Sequence, residues 1–132
     1  MRYMLDTNIC SYILKSHPLS VKAHFEQVGT RDLFISTVVL AELYYGAARH
    51  PKEPTIRKEI DDFVSRLAVI PWDDIAADHY GRIQATMEKN GTPIGAMDMM
   101  IAAHARSQGA TLVSNNIQHF DKVPGLLMAN WV

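Results

Sequence analysis

Four short apolar runs set the frame of this chain: Arg2-Tyr3-Met4-Leu5, Leu33-Phe34-Ile35, Ala68-Val69-Ile70 and Thr111-Leu112-Val113. None has a helical period, and turn- or cap-forming residues follow them, the pattern of short buried strands. Between them, apolar residues recur at spacings of three and four, which is one face of a helix. Val21, Phe25 and Val28 share such a face after Ser20, and Leu40, Leu43, Tyr44 and Ala47 share another behind a Ser36 or Thr37 cap. Ile56, Ile60, Phe63 and Leu67 form a third, whose outer side offers the i,i+4 pairs Arg57–Asp61, Lys58–Asp62 and Asp62–Arg66. Asp73 caps a fourth, with Ala76, Tyr80, Ile83 and Met87 inward, that stops at Asn90-Gly91. A short helix from Ile9 to Leu14 and a helix from Gly95 through Arg106 complete the series. Strands alternating with helices predict an α/β fold, a central parallel sheet of four to five short strands with helices on both faces. Ligands of such sheets bind beyond the carboxyl ends of the strands, where Asp6 and Ser114-Asn115-Asn116 fall.

The 132 residues suffice for one domain, 1–132, with a real core. No apolar run is long enough to span a membrane, and no basic-then-apolar leader opens the chain. A single cysteine, Cys10, forbids an intrachain disulfide and suits a reducing cytoplasm. The net charge of −1 argues on its face against nucleic acid. If three of the fourteen acids serve a metal, however, the remaining eleven face thirteen basic residues, and charge neither demands nor forbids RNA.

Three acids lack local partners. Helical carboxylates ordinarily meet a base three or four positions away, as Asp78 meets Arg82. Around Glu42 those positions hold Val38, Val39, Tyr45 and Gly46; around Asp98 they hold Ile94, Gly95, Ile101 and Ala102; Asp6 follows Leu5. Taken singly, Asp6 reads equally as a helix cap, Asp98 as a partner of a helix dipole, and Glu42 as a solvated edge residue. Taken together, three unpaired acids in apolar settings need compensation, and a hard divalent cation held by oxygen ligands supplies it. His104 and Arg106, closing the Asp98 helix, read as partners of its C-terminal dipole. The other histidines, His17, His24, His50, His79 and His119, make no ligand spacing, and Met97, Met99 and Met100 read as gap-filling core or interface.

Met4-Leu5-Asp6-Thr7-Asn8, Ser36 through Ala41-Glu42-Leu43-Tyr44-Tyr45-Gly46-Ala47, and Ile94-Gly95 through Asp98-Met99-Met100-Ile101-Ala102-Ala103-His104-Ala105 together resemble a PIN domain. More narrowly the chain resembles VapC-type toxins of bacterial toxin–antitoxin pairs, over essentially its full length and nearest to the enteric subgroup. The resemblance implies a Mg²⁺- or Mn²⁺-dependent endoribonuclease in which Asp6, Glu42 and Asp98 form the acidic metal site. Its chemistry is in-line attack of an activated water on the scissile phosphate, leaving a 3′-hydroxyl and a 5′-phosphate. Thr7 and Asn8 would support the Asp6 carboxylate or touch phosphate. Many members carry a fourth acid where Ser114, Asn115 and Asn116 stand here; Asn116 is the counterpart, orienting water without adding charge, and Asp121 is the nearby acid that could substitute. Initiator tRNA, cut in the anticodon stem-loop, is the expected substrate. A homodimer is implied, in a larger assembly with a VapB-like antitoxin whose C-terminal segment lies between the N-terminal helices, walled by residues of Ile9–Leu14 and by Tyr44-Tyr45.

A phospho-acceptor signalling domain is the rival from another class, also a small parallel α/β unit with Mg²⁺-binding acids. It would use Asp73-Asp74, but such a site needs paired acids after the first strand, where Asp6 stands alone. A catalytically dead binding module is a third reading, and the retained acids argue against it.

Overall fold

The structure is a computed structural model that describes residues 1–132. The elements are β1 (Tyr3–Leu5), α1 (Thr7–Lys15), α2 (Leu19–Val28), β2 (Leu33–Ser36), α3 (Thr37–Ala48), α4 (Glu53–Val64), β3 (Ala68–Ile70), α5 (Asp74–Lys89), α6 (Ala96–Ser107), β4 (Thr111–Val113), α7 (Ile117–Phe120) and β5 (Leu127–Ala129), with a 3-10 turn at Thr30–Asp32. The strands lie in the order β3-β2-β1-β4-β5, every neighbour parallel. The four strands expected from the sequence are present, and the tail adds β5 as the fifth. No helix is long and apolar enough to cross a membrane.

Consecutive strand residues point to opposite faces of a sheet. Met4 and Leu5 of β1 are both fully buried, as are all of Leu33–Ser36 and all of Thr111–Val113, so the three central strands are covered on both faces. The edge strands β3 and β5 are only half covered. Helix caps fix where the chain turns: Ser36 Oγ accepts from Val38 N–H at the start of α3, and Asp73 Oδ1 accepts from Ala76 N–H at the start of α5. Trp72, between β3 and α5, donates its backbone N–H to Thr37 Oγ1 and its indole N–H to the carbonyl of Met100, tying that turn to α3 and α6.

Several expectations need correction. Of the outer-face pairs on α4 only Arg57–Asp61 forms an ion pair; Lys58–Asp62 and Asp62–Arg66 do not. Asp61 also accepts from the Tyr44 hydroxyl, and the Arg57 guanidinium lies 3.6 Å from the Tyr44 ring centroid, so these side chains clasp α3 to α4. Arg106 donates to the Pro124 carbonyl and anchors the tail. His104 is not a dipole partner. It is fully buried, meets the edge of Phe34 at 6.4 Å, and neither ring nitrogen has a hydrogen-bond partner.

Burial pushes the His104 pKa below its ordinary 6.5, against a smaller upward pull from Asp73. A lowered pKa means the unfolded chain binds the proton first, so stability falls as pH drops below that ordinary value. Denaturant midpoints of the wild type are expected to decline as pH is lowered through that value, with a shallower decline in His104→Leu. Equal slopes for the two proteins would show that His104 does not couple to folding.

Candidate active site

Asp6 sits where β1 becomes α1, and the strand register decides its surroundings. Leu5 pairs with Val113 across β1 and β4, so the next residues, Asp6 and Ser114, emerge side by side at the carboxyl end of the sheet. Asp6 N–H continues the ladder to the Val113 carbonyl at 3.1 Å, and the Ser114 side chain lies near enough to favour the charged Asp6 carboxylate. The carboxylate also caps α1: Oδ1 accepts from Ile9 N–H at 2.9 Å. The cap and the site thus share one side chain, only 6% exposed.

Burial raises the Asp6 pKa above its ordinary 3.8. The Ser114 side chain and the bond from Ile9 oppose that shift, and the negative charges of Asp98 and Glu42 add to it. Asp98 and Glu42, the other two acids singled out by the sequence, therefore both lie near enough to act on Asp6. Glu42, on α3, accepts from the Thr7 hydroxyl. Thr7 thus acts on Glu42 rather than on Asp6, while Asn8 is exposed on the first turn of α1. Asp98, in the first turn of α6, has His119 of α7 as its basic neighbour, with Nε2 2.8 Å from Oδ2. The imidazole N–H is not aimed along the line of a straight hydrogen bond, so the contact is one of ion-pair distance.

Sequence reasoning missed His119. It lies far along the chain from Asp98, and no spacing rule reports a contact between separate elements. Asn116 is exposed at the start of α7, where its N–H donates to Ser114 Oγ at 2.9 Å. Asp121 is exposed at the end of α7 and contributes nothing to the charge around Asp6. Asp73 and Asp74 are exposed at the start of α5, Asp73 as its cap, and no third metal-holding side chain groups with them.

No three of the Asp, Glu, His and Cys side chains stand ready to close around one ion. Thr7 engages Glu42, and His119 engages Asp98. A small, strongly hydrated divalent cation suits such a set, because it keeps several waters and needs only one or two direct carboxylates. Asp6 supplies the chemical reason: a buried carboxylate with two acids near it and no basic side chain acting on it. Asp6, Glu42 and Asp98 are the residues that could hold the ion.

A groove of about 320 Å³ opens beside the site between α1, α3 and α4. Thr7 and Glu42 form its inner end, Leu14, Gly46 and Ile60 its apolar wall, and Lys15 and His50 bring basic groups to its lining. Tyr44 and Tyr45, expected as walls, do not line it, since Tyr44 is engaged by Arg57 and Asp61.

Residues 3–126 match the PIN domain family. The chain belongs to it. A Haemophilus influenzae protein named Ribonuclease VapC2 is 42% identical over 132 residues, covering 100% of this chain and 99% of its own. The tRNA(fMet)-specific endonuclease VapC of Shigella flexneri is 41% identical over 131 residues, covering 99% and 98%. In the crystal structure of VapBC2 from Rickettsia felis bound to a DNA fragment from its promoter, a chain 39% identical superposes with a TM-score of 0.94, covering 100% of both chains. This PIN domain therefore falls among the VapC ribonucleases, whose family chemistry depends on a divalent metal.

Asn caps a helix as well as Asp does but carries no charge. Because the folded pKa of Asp6 is raised, the stability it contributes at low pH is lost as pH rises through that value, and its charge is a net cost at neutral pH. With metal chelated, Asp6→Asn is expected to melt above the wild type, and Asp6→Ala to be less stable than Asp6→Asn by about 1 kcal/mol through loss of the cap. Added Mn²⁺ should raise the melting temperature of the wild type by mass action and leave Asp6→Asn unmoved. A wild type more stable than Asp6→Asn in chelator would overturn this account.

Proposed function

We propose that this PIN domain is a VapC-type toxin, a Mg²⁺- or Mn²⁺-dependent endoribonuclease acting through Asp6, Glu42 and Asp98. The observation that carries the reading is the buried Asp6 carboxylate at the carboxyl end of the central strand, held beside two further acids with no basic side chain acting on it. The ion supplies Lewis acidity, activating water and stabilising charge on the phosphate oxygens. The chain supplies placement. Asp6 is fixed by the α1 cap and Glu42 is held by Thr7, while the first turn of α6 brings Asp98 to the same end of the sheet. Ser114 favours the charged form of Asp6, and Asn116, exposed at the start of α7, is the residue assigned to orient water or phosphate.

RNA is the substrate, and the likeness to the tRNA(fMet)-specific enzyme of Shigella flexneri makes initiator tRNA the first to test. Cleavage there blocks translation in the cytoplasm and arrests growth. A VapB-like antitoxin is the partner. The groove that ends at Thr7 and Glu42 suits its C-terminal segment, with apolar side chains along Leu14, Gly46 and Ile60 and a basic one directed at the acids. The working unit is the domain 1–132 as a homodimer within a larger toxin–antitoxin assembly.

Purified protein with Mg²⁺ or Mn²⁺ is expected to cut initiator tRNA to a 3′-hydroxyl and a 5′-phosphate. Asp6→Ala, Glu42→Gln and Asp98→Asn should each lower the rate about 10²-fold or more, since several kcal/mol of charge stabilisation goes with the metal site. Full activity in Asp98→Asn would refute the assignment of the acids. Sequencing RNA ends after induction reports reaction and substrate together. Labelling of Asp73 or Asp74 by acetyl phosphate would instead favour a signalling domain.

A further inference from the structure

The segment after β4 runs past two of the three acids. Ser114, its first residue, emerges beside Asp6 at the end of the sheet. Its hydroxyl oxygen accepts from Asn116 N–H, which shapes the turn into α7. Within α7, His119 N–H donates to the Asn116 carbonyl at 3.1 Å and Asp121 N–H to the Ile117 carbonyl at 2.8 Å, while Phe120 is buried in the core. The His119 backbone is thereby tied to the turn that carries Ser114.

From that backbone the imidazole reaches α6. Its Nε2 is shielded from solvent and lies 2.8 Å from Asp98 Oδ2, at ion-pair distance and without a straight hydrogen bond. No Lys or Arg pairs with Asp98; the two arginine ion pairs of the fold are Arg57–Asp61 and Arg82–Asp78. The Asp98 side chain is 40% exposed, so its own packing leaves it room to turn. A carboxylate has two oxygens and about four lone-pair sites, so a partner on one oxygen restricts the rotamer and leaves the other oxygen for a second ligand.

We propose that His119 is a positioning residue for the metal site: its imidazole holds Oδ2 of Asp98 and so orients the carboxylate toward a divalent cation shared with Asp6. This rests on the metal-dependent reading of the acids. It gives a role to the stretch where many PIN domains place a fourth acid. Here that stretch brings a hydroxyl beside Asp6 and an imidazole to Asp98 in place of another ligand.

The probe is Mn²⁺ alone, with free ion counted from its paramagnetic resonance signal on the full-length protein. Outer partners of metal ligands typically change affinity by about 10- to 100-fold when removed, so His119→Ala should weaken Mn²⁺ binding at least about tenfold. His119→Gln, whose amide N–H can reach the same oxygen, should recover most of that loss. At saturating Mn²⁺ the KM for RNA should match that of the wild type. Melting temperatures within two degrees or so of the wild type are expected for both variants, because Phe120 and not His119 carries the packing of α7. Wild-type Mn²⁺ affinity in His119→Ala would overturn the proposal. So would a Gln variant as weak as Ala, or a change confined to the KM for RNA, which would make His119 a substrate contact. The resonance measurement needs no RNA. A wild type that binds Mn²⁺ but cuts no RNA therefore refutes the ribonuclease reading, while the His119 comparison still decides this one.

Discussion

A buried negative charge at the end of the central strand is the constraint on which the rest of the structure turns. Asp6 cannot leave its position, because its carboxylate caps α1 and its backbone extends the ladder to β4. Nor is it comfortable there, since burial and the charges of Asp98 and Glu42 all favour the neutral form. A fold selected only for stability would carry Asn at this point. Retaining Asp leaves a local deficit that a bound cation would relieve.

The other two acids are restrained less rigidly and from outside. Glu42 is held through Thr7, the residue next to Asp6, which links the α1 turn to α3. Asp98 is approached from α7 across the sheet end. Each restraint comes from an element that does not carry the acid it restrains, so the relative placement of the acids depends on how helices pack. The groove reaching Thr7 and Glu42 is bounded by three of those helices. A peptide seated in it would touch the restraint on Glu42 as well as cover the site, which gives an inhibitor two physical routes to the same end.

Much of this was legible in the residues. The central strands could be read because Met4-Leu5, Leu33–Ile35 and Thr111–Val113 are apolar on both sides, as a doubly covered sheet demands. That Asp6, Glu42 and Asp98 come near one another could be anticipated because Glu42 and Asp98 have no base on their own helices and Asp6 follows the buried Leu5. The amphipathic pattern recovered α2 to α5, including the caps at Ser36 and Asp73. What escaped was set by contacts between elements. β5 lies in a Pro-Gly tail with little periodicity and is a strand because β4 has a free edge. His104 sits near a helix end, where sequence favours a charged dipole partner, yet packing against Phe34 encloses it. His119 is polar, isolated and far from Asp98 along the chain. Spacing rules describe one helix or one strand at a time, and these residues owe their surroundings to others.

The strand order has a temporal meaning. β1 is the first strand made and the middle strand of the finished sheet, flanked by β2 early and by β4 only near the end of synthesis. Until residues 111–113 leave the ribosome, Asp6 has no ladder partner and no Ser114 beside it, and α7 has yet to follow. Pairings this distant along the chain form late. The surroundings of Asp6 are in this way completed only when the last quarter of the chain has been delivered.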